Sequence, residues 1–192
     1  AYGAVAQQML KQCGLNIGLI QNEFIVPADA LEAGRRFFKE HQLDAGQPTL
    51  FIQPFTSSLH KNWPLENYLA LATHWRNAGV QVLFGGGPGE RERLEPVSCA
   101  GFPISAGAPL LVSAGLVKLS NVIVGGDTGL LHIAVAMNKR VVFLADVSKY
   151  PNRFYPFRHF DWKSAPPAGR RISDITVTTV SEACKTALAG LT

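Results

Sequence analysis

"VGGDTGLLHIAVAM", residues 124–137, is the most informative segment of this chain. An apolar run reaches two glycines, and an acid, a hydroxyl, a third glycine and a second apolar segment follow. The pattern predicts a buried strand that turns tightly at Gly125 and Gly126 and enters a helix near Thr128. The large apolar residues of that helix are expected to pack in the core; they are Leu130, Leu131, Ile133, Val135 and Met137.

The same strand and helix pattern extends along the chain from residue 49. Short apolar runs alternate with helical segments, which predicts an α/β domain with a Rossmann-like parallel sheet and helices on both faces. The predicted strands are 49–54, 80–84, 102–105, 121–126 and 140–145. Ligands bind such sheets at the carboxyl ends of the strands. The loops after Pro54, Phe84, Ser105, Gly126 and Ala145 are therefore the candidate places for a site.

The start of the helix after Gly126 is predicted to bind an anion. Asp127 and Thr128 stand where the unpaired amides and the positive dipole end of the helix face the ligand crevice, and this arrangement suits a phosphate or diphosphate. Gly129 carries no side chain, so an oxygen can approach the backbone. His132 follows about one helical turn later, so its side chain is expected to point toward the same ligand crevice. Two alternatives stay open: Asp127 as a plain helix cap, and His132 as a core histidine.

A second candidate lies in "QPFTSSLHKNWPLENY", residues 53–68. Thr56, Ser57 and Ser58 offer three hydroxyls between a predicted strand and a predicted helix, and Lys61 offers a positive charge. Hydroxyls with one lysine suit phosphate oxygens, because the lysine supplies charge and the hydroxyls supply direction. The alternative is a polar surface turn with an exposed lysine.

A third candidate is "FGGGPGERERL", residues 84–94. Gly85 and Gly86 are expected to give a ligand access to the backbone, and Glu90 to accept from ribose hydroxyls or an amino group. The glycines match neither the GxGxxG nor the GxxxxGK[ST] pattern, so a nicotinamide cofactor and a kinase-type phosphate loop are poorly supported. Arg91 and Arg93 are expected on a solvated face.

Composition bounds the class of partner. The chain has 192 residues and a net charge of +4, which suits anionic small molecules or an anionic membrane face. The basic residues form no long stripe, so a nucleic acid is not expected. The apolar stretch at 132–147 is interrupted by Asn138, Lys139 and Arg140, so no membrane-spanning helix is expected.

The cysteines predict a reducing compartment. Cys13, Cys99 and Cys184 lie far apart without CxxC spacing, which argues against a disulfide framework and against a zinc site. All three are expected to be small apolar residues of the core.

The two flanks of the alternating region are less regular. Residues 1–48 are expected to hold a connector and helices, and the start at Ala1 suggests a processed chain or a piece of a longer protein. Residues 146–171 are expected to form a long loop. Its charged residues either close over a ligand or belong to a solvated connection; they are Arg153, Arg158, His159 and Asp161.

Three motifs together resemble the C-terminal half of glycosyltransferase family 9, the ADP-heptose:lipopolysaccharide heptosyltransferase family. They are "KNWPLENYLALA" (61–72), "VLFGGGPGERE" (82–92) and "VIVGGDTGLLHIAVAM" (122–137), and the match covers residues 48–145. The resemblance implies the GT-B fold, in which two Rossmann-like domains face each other across a cleft and the C-terminal domain holds a nucleotide-sugar.

The resemblance also implies roles for the candidate residues. Donor phosphates or the sugar would meet Thr56, Ser57 and Lys61, and the nucleoside would meet Glu90. The diphosphate and sugar would meet the junction residues Asp127, Thr128 and Gly129, with His132 close by. No metal and no cofactor are expected, because the helix end and Lys61 would stabilise the leaving group.

The implied function is donor binding in an inverting glycosyltransferase. Residues 49–192 would form the nucleotide-sugar domain, and the acceptor domain with its catalytic base would be absent from this chain. An ADP-sugar would give its heptose to a lipopolysaccharide-core-type, lipid-linked acceptor, in the cytoplasm or peripherally on the inner membrane, and this chain alone would not turn it over. Two alternatives remain: a GT-B transferase or sugar-nucleotide epimerase with a UDP donor, and a non-catalytic nucleotide-binding module.

Overall fold

The computed structural model describes residues 8–15, 23–144, 163–164 and 171–189. The strands of these ranges form one sheet: β1 Thr49–Gln53, β2 Gln81–Gly86, β3 Ile104–Ala106, β4 Val122–Gly125, β5 Arg140–Leu144 and β6 Lys163–Ser164. The helices that pack on the sheet are α1 Ala28–Glu40, α2 Leu65–Asn77, α3 Glu95–Cys99, α4 Leu110–Leu119, α5 Gly129–Ala136 and α6 Val177–Leu188. Short 3₁₀ turns lie at Leu59–Lys61, Glu92–Leu94 and Ile172–Asp174.

The strand order is β3-β2-β1-β4-β5-β6, and every neighbouring pair is parallel. This is the order of a doubly wound Rossmann-like sheet, in which the chain winds outward in both directions from the central pair. That pair is β1 and β4, with Gln53 opposite Gly125 at their carboxyl ends. The predicted α/β fold class is therefore confirmed, and the switch point of the sheet lies between β1 and β4.

Alternate residues of the central strands point into two separate cores. On one face Leu50, Ile52 and Val124 pack with residues of α2, α3 and α6. On the other face Phe51 and Ile123 pack with residues of α1, α4 and α5. Because both faces are covered, β1 and β4 are buried along their whole length, which explains their continuous apolar sequence.

Helix α1 crosses α4 where two glycines meet. A Cβ atom on Gly115 would lie 2.3 Å from the carbonyl oxygen of Ala30, and a Cβ atom on Gly34 would lie 3.0 Å from the carbonyl carbon of Gly115. The absence of both side chains lets the two backbones touch. Helix α1 thus packs on the same domain as the sheet that starts at Thr49.

Three local expectations are wrong. Strand β2 continues through Gly85 and Gly86, which the sequence placed in a loop. Gly125 and Gly126 do not adopt positive φ angles, so tight turning does not explain them. Cys13 and Cys99 are exposed, and of the three cysteines only Cys184 lies in the core; all three are free thiols.

Some expectations fall outside the described residues. They are the extension of the last predicted strand to Ala145, the first residues of the connector, and the loop residues Arg153, Arg158, His159 and Asp161. Within the described ranges, no helix has the length and apolar character that crossing a bilayer requires.

We expect Gly115→Ala to destabilise the chain, because the new methyl group meets the backbone of α1 and not a flexible side chain. Overpacking costs about 1–3 kcal/mol, and the better helix propensity of alanine returns at most about 1 kcal/mol. Urea denaturation should show a lower midpoint. Gly34→Ala is the matched comparison, because its closest contact is 3.0 Å, and it should lose less stability. A Gly115→Ala chain as stable as the wild type would contradict this packing.

Candidate functional site

Three predicted site residues meet at the carboxyl edge of the central strand pair. The Nζ atom of Lys61 lies 3.3 Å from Oδ2 of Asp127, and Nε2 of His132 lies 3.2 Å from Oδ1 of the same carboxylate. The side chains of Lys61 and Asp127 are 30% and 27% exposed, and that of His132 is 44% exposed. We call Lys61, Asp127 and His132 the ionic cluster. It joins the loop after β1 to the junction after β4.

Thr128, and not Asp127, caps helix α5. The Thr128 side chain accepts a hydrogen bond from the backbone N–H of Leu131 at 3.4 Å. The expectation that Asp127 is a plain cap is therefore wrong, and its carboxylate instead faces Lys61 and His132. The expectation that His132 is a core histidine is also wrong, because the side chain is exposed.

The first residue of α5, Gly129, is exposed. A Cβ atom on Gly129 would meet no atom within 4 Å. The first helical hydrogen bonds run from Leu131 and His132 to the carbonyl oxygen of Thr128, so the amides of Gly129 and Leu130 precede the hydrogen-bonded turns. This geometry agrees with the predicted anion site at the helix start.

Two glycines let the loop after β1 lie directly on the junction after β4. A Cβ atom on Gly126 would lie 2.8 Å from Cγ2 of Thr56 and 3.3 Å from the carbonyl oxygen of Lys61. A Cβ atom on Gly125 would lie 2.5 Å from the carbonyl oxygen of Gln53. Glycine is needed at both positions for close approach, and this approach delivers Lys61 to Asp127.

The loop after β1 is held by its own polar groups. Thr56 is buried, its hydroxyl donates to the carbonyl oxygen of Ser58 at 2.9 Å, and the N–H of Ser58 approaches the same hydroxyl. The Thr56 hydroxyl thus shapes the loop, and its predicted contact with a phosphate stays a prediction. Ser57 is exposed on this loop and Ser58 is half-buried.

Sequence reasoning missed Asn62. Its Oδ1 atom accepts a hydrogen bond from the backbone N–H of Thr56 at 2.8 Å and closes the loop that carries Lys61. Its Nδ2 atom is buried without a hydrogen-bond partner. The position beside Lys61 in the "KNWP" motif was the available signal, since asparagine commonly stabilises turns.

The third candidate stretch is organised by contacts within itself. Oε2 of Glu90 accepts from the N–H of Gly87 at 2.6 Å. Gly85 is required by packing, because a Cβ atom there would lie 2.4 Å from the Phe51 ring; a Cβ atom on Gly86 would lie 2.7 Å from Leu94. The predicted donor contacts of Gly85, Gly86 and Glu90 stay predictions.

The arginines of this stretch are exposed, as predicted, and each also makes one contact with the domain. Arg93 lies over the Phe55 ring, 3.7 Å from its centroid, and Arg91 donates to the carbonyl oxygen of Ala106. Phe55 immediately precedes Thr56. The Arg93 contact therefore holds the loop after β2 against the loop after β1.

The ionic cluster controls the ionisation of Asp127. The hydrogen bond with His132 lowers the pKa of Asp127 below its ordinary value of 3.8, and Lys61 lowers the pKa further by hydrogen bonding and by charge. Partial burial acts in the opposite direction and is outweighed. The carboxylate is thus negatively charged at neutral pH.

A groove elsewhere on the domain differs from this site in charge. It has a volume of about 710 Å³ and follows the outer edge of β3, lined among others by Glu40, Glu92, Glu95 and Arg91. Its carboxylates suit a diphosphate poorly. In the part of the chain that the structure describes, no group of three or more His, Cys, Asp or Glu residues is arranged to hold a metal ion.

Comparison with protein families supports the fold and the motifs. The model of glycosyltransferase family 9 (heptosyltransferase) matches residues 4–157. The chain belongs to this family. No curated protein sequence matches it.

Solved structures show the same fold for this family 9 chain. A family 9 glycosyl transferase from Veillonella parvula DSM 2008 aligns with a TM-score of 0.78 and 20% identity. The alignment covers 94% of this chain and 58% of the Veillonella chain. The E. coli ADP-heptose lps heptosyltransferase II aligns with a TM-score of 0.71 and 21% identity, over 89% and 54%.

The E. coli heptosyltransferase WaaC with ADP aligns with a TM-score of 0.68 and 21% identity, over 93% of this chain and 53% of its own. The family 9 chain therefore spans slightly more than half the length of these structures. The predicted fold class, a Rossmann-like α/β sheet of the kind found in GT-B glycosyltransferases, is confirmed.

The titration of Asp127 tests the ionic cluster. By carboxyl-carbon NMR, we expect its midpoint below that of the same group in the urea-unfolded chain. Because the carboxylate is stabilised in the fold, its contribution to stability is present above the unfolded pKa and is lost as the pH falls through the lowered folded pKa. His132→Ala and Lys61→Ala should each raise the midpoint, because each removes a group that lowers the pKa of Asp127. A midpoint at or above the unfolded value would contradict the geometry.

Proposed function

We propose that this chain is the donor-binding half of a family 9 glycosyltransferase and that the ionic cluster receives the diphosphate of a nucleotide-sugar. One observation carries the proposal: Lys61 and His132 converge on Asp127 at the switch point of the sheet, beside the open start of α5. Ligands of doubly wound sheets bind in the crevice at this point.

The helix start and Lys61 would act together on the diphosphate. The amides of Gly129 and Leu130 would donate to its oxygens, and the ammonium group would supply positive charge. When the bond between the sugar and the diphosphate breaks, negative charge grows on the departing nucleotide. Groups already fixed around that charge stabilise it without reorganisation, so Lys61 would be the leaving-group residue of a metal-independent reaction.

The remaining candidates would surround this centre. Ser57 and Ser58 lie on the loop that carries Lys61, and Thr56 shapes that loop. Glu90 would meet the nucleoside from the neighbouring loop, which Arg93 holds against Phe55. The exposed His132 imidazole would lie beside the sugar or the diphosphate.

The donor and acceptor are proposed from the relatives. Two structural matches are named as heptosyltransferases, one for ADP-heptose and lipopolysaccharide and one with ADP. We propose that this chain likewise takes an ADP-sugar, with heptose as the transferred sugar and a lipid-linked lipopolysaccharide-core glycan as the acceptor. The reaction would be an inverting displacement, and a base outside this chain would activate the acceptor hydroxyl. The enzyme would work in the cytoplasm, peripherally on the inner membrane.

Calorimetry with ADP tests the donor site. Lys61→Ala should weaken ADP binding by about 1–3 kcal/mol, the scale of a lost hydrogen bond to a charged group, which is a roughly five- to 150-fold rise in Kd. Lys39→Ala is the matched control, because it removes the same charge from an exposed position on α1. The control should leave the Kd unchanged.

The same titration separates the alternatives. Tighter binding of UDP than of ADP would favour a UDP-dependent transferase or epimerase. An equal Kd for the wild type and Lys61→Ala would remove Lys61 from the site. Absence of binding by either nucleotide would contradict the donor-binding function itself.

A further inference from the structure

We propose that Asp127 is a resident competitor of the donor: its carboxylate occupies the cationic site in the free protein and must release Lys61 when a diphosphate binds. This inference rests on the proposed function, because it assumes that the diphosphate binds at the ionic cluster. It adds that Asp127 weakens the binding of the donor and of the nucleotide product. The family resemblance, in contrast, implies that Asp127 contacts the donor and strengthens its binding.

The geometry gives Asp127 the position of an anionic ligand. Its two carboxylate oxygens face different partners, with Oδ2 toward Lys61 and Oδ1 toward His132. The carboxylate also directly precedes the capped start of α5, where negative charge is favourable. Lysine, imidazole and helix start are the groups that would bind a diphosphate, and Asp127 already contacts the first two.

Local structure does not account for an acid at this position. Thr128 provides the helix cap, so Asp127 is not needed to start α5. Gly126 and Asn62 fix the loop contact through packing and backbone hydrogen bonding. Among the residues that the structure describes, the side chain of Asp127 forms hydrogen bonds with the two basic side chains.

These contacts are loose enough to exchange. The distances of 3.3 and 3.2 Å exceed the roughly 2.7–2.9 Å of a strong charge-assisted hydrogen bond. All three side chains are partly exposed, so solvent screens the pair and its contribution to stability is small. A diphosphate with several oxygens can therefore displace the carboxylate from Lys61.

When the diphosphate displaces the carboxylate from Lys61, two negatively charged groups, the diphosphate and Asp127, lie close together. Like charges at about 4 Å repel even in water, so the bound diphosphate is held less tightly than the helix start and Lys61 alone would hold it. After transfer, the carboxylate can pair with Lys61 again and assist the departure of the nucleotide. Very tight binding of a ground state does not accelerate a reaction, so a competitor of this kind is compatible with turnover.

The test compares ADP affinities by calorimetry on the 192-residue chain. Asp127→Asn keeps the size and an acceptor oxygen but removes the charge, and we expect its Kd for ADP to fall at least about fivefold. Glu32→Gln is the matched control, because it removes one negative charge from an exposed position on α1, and its Kd should stay unchanged. Asp127→Ser should change the Kd in the same direction as Asp127→Asn, so a folding defect in one variant does not decide the test.

A double-mutant comparison isolates the competition for Lys61. In a Lys61→Ala background, the gain from Asp127→Asn should shrink, because the carboxylate then has no lysine to withhold. A higher Kd in Asp127→Asn, or an equal gain in both backgrounds, overturns the competitor and leaves the donor site intact. If the wild-type chain does not bind ADP, the result contradicts the proposed donor-binding function, and the competitor role of Asp127 is contradicted with it.

Discussion

The contact between the loop after β1 and the junction after β4 is the constraint on which the site depends. The loop and the junction touch because Gly126 has no side chain: a Cβ atom there would lie 2.8 Å from Thr56. Asn62 closes the loop and presents the adjacent Lys61 to Asp127, 66 positions away in the sequence. A larger residue at position 126 would separate the two segments, and the ionic cluster would not form.

The sheet makes this contact possible. Because β1 and β4 are parallel neighbours at the switch point, the loops that follow them leave the sheet at the same edge. Helices α2 and α5 then pack on opposite faces, so a crevice remains between their first residues. The two apolar cores hold the strands from which both loops extend, and the close approach at the glycines holds the loops against each other. Fold stability and site geometry therefore share the same central strands.

The sequence predicted the fold class and the segments that carry Lys61, Asp127 and His132, because periodicity and glycine position are local signals. The strand–glycine–helix pattern at 124–137 identified the junction, and the hydroxyl-rich turn identified the loop with Lys61. Contacts between individual residue pairs could not be predicted from these local patterns. The ion pairs of Asp127, the packing need for Gly85 and the loop closure by Asn62 each depend on residues distant in the chain or on exact rotamers. For the same reason the exposure of Cys13 and Cys99 was not predictable.

A crystal structure of the chain with ADP would show whether the diphosphate binds at the ionic cluster. We expect diphosphate oxygens within hydrogen-bonding distance of the Gly129 and Leu130 amides, with Lys61 Nζ turned from Asp127 toward the ligand. ADP bound in the acidic groove along β3, or anywhere else while the Lys61–Asp127 pair stays intact at 3.3 Å, would contradict this expectation.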